Sequence, residues 1–261
     1  MNKAIQNRTI FECRFRYGYE YLDKTGRIIR RIVENNFPNF SLSKVNTTLT
    51  ALEDKEKNII INLDTTKLVI EQVQGENNIN LMKFEEFKPM ADIISQIIKE
   101  ELKLNDFSKL GYRNIYFIGF NTIQECTDYL LKLKLFIKLD TETVFSKIKE
   151  FSSLFVFDED DYTIRIKLSV GQQPVNVPEH IINLAIQDTK KLSRDQKRKR
   201  KEQYLAKNML AKLPKYVVIY DFDFIDEFPE LILGTLDIDT FLEKGNDLSK
   251  KYFKKIFEAN L

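Results

Sequence analysis

Three aromatic-rich segments of this chain have the spacing of β-strands, and they set most of what it can fold into. In the first, Phe11, Cys13, Phe15 and Tyr17 alternate with Glu12, Arg14 and Arg16. In the last, Tyr216–Phe224 reads YVVIYDFDF, with Val218, Tyr220, Phe222 and Phe224 on one face and Val217, Ile219, Asp221 and Asp223 on the other. Successive side chains of a strand point to opposite faces, so this spacing predicts β-structure with one apolar side. The middle segment, Tyr112–Phe120, carries apolar residues at both parities, which predicts a central strand buried on both faces. Together the three hold much of the 12% aromatic content, placed where core packing uses it. Tyr17, Tyr19 and Tyr21 would be the exception if their face were open, since aromatics favour interfaces.

Helical spacing fills the intervals. A helix from Asp23 to about Asn36 puts Ile28, Ile29, Ile32 and Val33 on one stripe, and Phe37-Pro38 ends it because the residue before proline avoids the α region. Strands follow at about Val45–Leu52, Asn58–Leu63 and Lys67–Val73, with Asp64-Thr65-Thr66 as a tight turn. Pro89 suits the first turn of a helix carrying Met90, Ile94, Ile97 and Ile98. Thr122 and Glu125 have capping-box spacing ahead of Ile123, Cys126, Leu130, Leu133 and Ile137. Val144, Phe145, Ile148 and Phe151 mark a short helix. A hairpin follows, Leu154–Phe157 and Tyr162–Val170, with Asp158–Asp161 as a solvated turn. A helix around His180–Gln187 continues towards Leu213, and a last one runs from about Asp239 to Asn260 with Asp237 or Asp239 as its cap.

The order predicts an α+β protein of two packed halves, each a mostly antiparallel sheet covered by helices. The first spans 1–139 and the second 140–261, with a basic helical insertion near 187–212. A chain of 261 residues has room for this. Its longest uncharged stretches, Asn114–Gln124 and Leu168–Pro178, fall short of the roughly 18 residues that span a bilayer, so no membrane partner is expected. The opening MNKAIQNRTIFECRF has no apolar signal region, and Cys13 and Cys126 stand isolated. A cytoplasmic protein with reduced, buried thiols is the expectation.

Several chemistries lack their parts. Hydrolysis through a Ser–His–Asp or Cys–His set needs a histidine, and only His180 exists, without a GxSxG turn or a placeable nucleophile. Neither GxxxxGK[ST] nor GxGxxG occurs. Two cysteines and one histidine, widely spaced, do not make a structural zinc site.

Two features remain. Asp221 and Asp223 fall on one face of a strand, where paired carboxylates can hold Mg²⁺ or Mn²⁺ for phosphoryl transfer. The plainer alternative has them facing water or meeting basic residues of a neighbouring strand. The second feature is the segment 190–201, in which Lys190, Lys191, Arg194, Lys197, Arg198, Lys199, Arg200 and Lys201 accompany a single acid, Asp195. Elsewhere 33 basic residues face 38 acidic ones, so the run stands out against a mildly acidic chain. It can follow a phosphate backbone, contact an acidic protein partner, or lie solvated. Tyr204 is the one aromatic nearby, which gives base stacking little support.

Three places resemble a sporadically distributed family of uncharacterised prokaryotic proteins of about 260 residues. They are Asn36-Phe37-Pro38 after the opening strand and helix, Leu110-Gly111-Tyr112-Arg113-Asn114-Ile115 in mid-chain, and Tyr220-Asp221-Phe222-Asp223 before a final helix with Phe253 and Phe257. The chain departs from that pattern at Gly245–Leu248, where the family's final helix usually carries a histidine, and the run at 190–201 is a local elaboration. Patchy distribution implies a mobile or defence-associated setting and transfers no catalytic residue. The sequence therefore predicts a non-enzymatic interaction or regulatory module, toxin-neutralising or antiphage, with a protein partner and no cofactor. The alternative is a nucleic-acid binder or a nuclease using Asp221, Asp223 and Mg²⁺ or Mn²⁺.

Overall fold

A computed structural model describes residues 4–16, 20–34, 36–74, 81–105, 107–133, 135, 151–172, 216–227 and 237–258. The elements are β1 (Ala4–Arg14), α1 (Tyr21–Val33), β2 (Ser41–Val45), β3 (Thr50–Asp54), β4 (Ile59–Leu63), β5 (Lys67–Val73), α2 (Phe84–Glu101), β6 (Lys109–Phe120), α3 (Ile123–Lys132), β7 (Ser152–Glu159), β8 (Tyr162–Gln172), β9 (Tyr216–Glu227) and α4 (Ile238–Phe257). The fold is α+β. The described strands form one nine-stranded sheet, ordered β2-β3-β4-β5-β1-β6-β9-β8-β7, where two sheets were expected. The expected boundary between 139 and 140 lies outside the described residues.

Pairing is antiparallel from β2 through β5 and on to β1, whose Phe11 lies opposite Ile70 and Cys13 opposite Leu68. Lys109 meets Glu227 and Arg113 meets Asp221, so residue numbers fall along β6 as they rise along β9, the sense of an antiparallel pair. Contacts gather the chain into two compact units. One comprises Met1–Ile5, Phe117–Ser152 and Ser169–Ile219, and the other Gln6–Tyr116, Ser153–Leu168 and Tyr220–Leu261.

In the second unit, one parity of β1, β4, β5, β8 and β9 is driven into a core. Phe11, Cys13, Ile59, Ile61, Leu68, Ile70, Ile164, Tyr220, Phe222 and Phe224 are all essentially inaccessible. Helices supply the other side of this core: Ile28 and Ile32 from α1, Ile94 and Ile98 from α2, Phe241 and Leu242 from α4. Phe224 stacks on Phe241 with ring centroids 4.9 Å apart, and Tyr220 meets Phe253 edge-on at 5.3 Å. Gly245 permits this closeness, since a Cβ there would lie 2.8 Å from the Phe224 ring and 2.9 Å from the Tyr112 ring. Ion pairs tie the helices together. Lys88 of α2 reaches Asp239 and Glu243 of α4 at 2.7 and 2.6 Å, and buried Glu101 receives Arg27 and Arg31 at 3.0 and 2.9 Å. In the first unit, Thr122 Oγ1 accepts from Glu125 N and Glu125 Oε2 accepts from Asn121 N, which fixes the start of α3 as its capping-box spacing predicts.

Several expectations are corrected. The first strand begins at Ala4 and ends at Arg14, short of Tyr17 and Tyr19, which lie outside the described residues. Tyr21 is buried in α1 with its hydroxyl against Thr50 Oγ1 at 2.9 Å. The strand expected over 45–52 is two strands, because Asn46 Oδ1 accepts from the amides of Thr48 and Leu49 and closes a turn. α2 starts five residues before Pro89, which sits inside it. β6 is central but not sealed on both faces: Tyr112 and Asn114 are buried while Arg113 and Ile115 are half-exposed. The acidic turn is more than solvated, since Glu159 binds Lys251 at 2.6 Å and accepts from the Tyr252 hydroxyl, and Asp160 binds Lys244 at 2.7 Å. Among the described residues, no helix is long and apolar enough to cross a membrane.

Candidate functional site

The parity that drives Phe11, Ile70, Tyr112 and Phe222 inwards sends their neighbours to the opposite face of the sheet. There β1 presents Ile10, Glu12 and Arg14, β5 presents Lys67, Val69 and Glu71, and β6 presents Gly111 and Arg113. β9 adds Asp223 and β8 adds Arg165. These side chains line a trough of about 720 Å³ that includes Leu49, Asn62, Asp64 and Lys109. Gly111 leaves the trough without a side chain in its middle, and a Cβ there would meet nothing closer than Glu12 at 3.8 Å.

Charges of both signs organise the surface. Arg113 grips Asp221 with two nitrogens, Nε to Oδ1 at 2.7 Å and Nη2 to Oδ2 at 2.5 Å. This fork-on-carboxylate geometry is the strong form of such a pair, and it raises the Arg113 pKa. Arg14 turns onto Glu12 at 2.6 Å, Arg8 onto Glu71 at 2.9 Å and Lys109 onto Glu227 at 2.5 Å. The hydrogen bond from Lys109 holds the Glu227 carboxyl below its usual range. Asp223 is different. Burial pushes its pKa up, opposed chiefly by the charge of Arg113, and it makes no hydrogen bond or ion pair with another described residue. Lys67 and Arg165 likewise have no acidic partner within 4 Å among the described residues.

The aspartate pair of the sequence is thus split by its surroundings. Both carboxylates share the open face, but Asp221 is committed to a basic residue of a neighbouring strand and Asp223 is not. Among the described residues, no group of three or more His, Cys, Asp or Glu side chains is placed to hold a metal ion. His180 and the basic residues Lys190, Lys191, Arg194, Lys197, Arg198, Lys199, Arg200 and Lys201 lie outside the described residues. Cys13 and Cys126 are buried free thiols, and burial pushes each pKa up to about 12, which keeps them protonated and unreactive.

Sequence reasoning missed Arg113, Lys67 and Arg165 as surface-defining residues. Arg113 follows Tyr112 by one position, so its outward direction was readable from parity. Its partner, 108 residues away, was not. No family model matches the chain, and no curated protein matches it.

Proposed function

We propose that the chain is a non-enzymatic prokaryotic interaction module whose open sheet face takes a protein partner. One observation carries this reading. The same sheet is sealed by three helices on one side, while the other keeps a trough of about 720 Å³ with five cationic and four anionic side chains. A polyanion calls for an excess of cations along its path. Near-balanced charges, with Lys67, Arg165 and Asp223 uncommitted, suit a protein surface that is itself of mixed sign. Regulation by occupancy, as in toxin neutralisation or antiphage defence, is the role we assign to such a module.

A second reading keeps nucleic acid as the partner, and the basic run at 190–201 favours it. Binding would then weaken steeply with salt and collapse when Lys197–Lys201 are neutralised. In its enzymatic form Asp221 and Asp223 would hold Mg²⁺ or Mn²⁺, which requires Asp221 to give up Arg113.

Recovery of the tagged chain from its native cell, with and without nuclease, tests the proposal. A stoichiometric protein that survives nuclease is the expected result. Nucleic acid alone, released by salt, would move the weight to the basic run. A metal-dependent cleavage abolished by Asp221→Asn would overturn the non-enzymatic reading.

A further inference from the structure

On the covered side of the sheet, a polar pocket of about 290 Å³ lies at the start of α2. Gln6, Thr9, Tyr112, Asn246 and Lys250 line it beside Phe84 and Glu85 of the first helical turn. The first amides of a helix have no partner within it and carry the positive end of the helix dipole. Lys83, at the N-cap, gives them no side-chain acceptor, and its carbonyl takes the Glu86 and Phe87 amides at 3.0 Å, which leaves those of Phe84 and Glu85.

The other walls are unusual for what they leave unpaired. Asn246 is 7% exposed, yet its amide makes no hydrogen bond with another described residue. A buried polar group left without a partner costs about 1–3 kcal/mol, so such a group calls for a ligand. Tyr112 is 1% exposed. Its oxygen accepts from Asn114 Nδ2 at 3.1 Å, while its own O–H proton has no acceptor among the described residues. Lys250 is exposed and has no acidic partner within 4 Å among them. By contrast, the polar side chains of the scaffold around these donors are hydrogen-bonded to one another and to the backbone. Asn114 Oδ1 accepts from Gln6 Nε2 and Thr9 Oγ1, and Gln72 donates to Lys57 O and accepts from Met82 N, which fixes the approach to α2.

We propose that this pocket binds a small anion through a phosphate group, held by the first amides of α2, the Asn246 amide, the Tyr112 hydroxyl and the Lys250 ammonium. Donors arriving from a helix end and from three side chains match the several acceptor oxygens of a tetrahedral phosphate. The volume admits free phosphate or a small phosphomonoester. Glu85 stands on the same rim and weakens the site, which gives the test two opposite signs. The proposal is independent of the open-face reading.

Calorimetric titration of the full chain with inorganic phosphate and with ribose 5-phosphate tests it. Lys250→Met, at an exposed position, should leave the fold intact and weaken binding about tenfold, the effect of one lost charge-assisted hydrogen bond. Glu85→Gln should tighten binding. The tighter of the two probes identifies the group as free or esterified. Absence of saturable binding to both probes at about 10 mM, or equal binding by all three proteins, overturns the proposal.

Discussion

The two faces of the sheet are made from the same strands and obey opposite rules. On the covered face, side chains are fixed by packing: Phe224 against Phe241, Gly245 against Tyr112, Asn114 bonded to four polar side chains. On the open face they are held by paired charges at the edge of water, and several are held by nothing. Arg14 and Lys67 even stand directly opposite each other in register. A like-charged pair of this kind is mildly destabilising and gives the fold no reason to place it there. On the proposed reading, stability and recognition are divided by strand parity, one residue apart along each strand.

That division can be broken most sharply with Phe224. Phe224→Ala empties a fully buried aromatic site and should cost about 3–5 kcal/mol, whereas Arg165→Ala on the open face should stay within about 0.5 kcal/mol. Chemical denaturation of both variants measures the contrast, and comparable losses would erase it. Gly245→Ala comes next. In an exposed helix this change stabilises, because glycine costs roughly 0.5–1 kcal/mol relative to alanine. Here the new Cβ would lie 2.8 Å from the Phe224 ring, so the sign should reverse, with a loss of about 1–3 kcal/mol. A higher midpoint for the variant would show that α4 packs more loosely than described.

A third change sharpens the comparison through pH. Asp226 lies on the covered parity of β9, 9% exposed, and burial together with the charge of Asp161 pushes its pKa up to about 6. A carboxyl that holds its proton more tightly when folded contributes stability below its ordinary pKa. That contribution is lost as pH rises through about 6. At pH 7 the ionised Asp226 therefore works against the fold. Asp226→Asn should gain about 2 kcal/mol at pH 7 and lose the advantage as pH falls to about 4, which thermal midpoints across that range will read.

Much of this was legible in the sequence, for a physical reason. Period-two alternation identifies β1 and β9 because burial of one face is what selects it, and two strand-like runs about an acidic turn identify the hairpin of β7 and β8. The box at Thr122 and Glu125 locates α3 because its hydrogen bonds are local. Local chemistry also explains the misses. Val45–Leu52 reads as one β-rich run, and only the Asn46 side chain, capturing two amides, divides it. The trough was not legible, since it depends on the order β5-β1-β6-β9-β8, which joins residues far apart in the chain. Asp221 and Asp223 were recognisable as a pair, but the Arg113 that separates their roles comes from a remote strand. Asn246 gave no signal at all, because a polar residue on a helix becomes informative only when it is found buried and unbonded.

The most direct test of the account is whether a protein partner is recovered with three forms of the tagged chain: wild type, the open-face double variant Lys67→Glu/Arg165→Glu, and Arg30→Glu on the exposed side of α1. The account predicts that one nuclease-resistant partner accompanies wild type and Arg30→Glu and is lost from the double variant, with all three equally stable. Retention of that partner by the folded double variant would contradict the assignment of the open face to recognition.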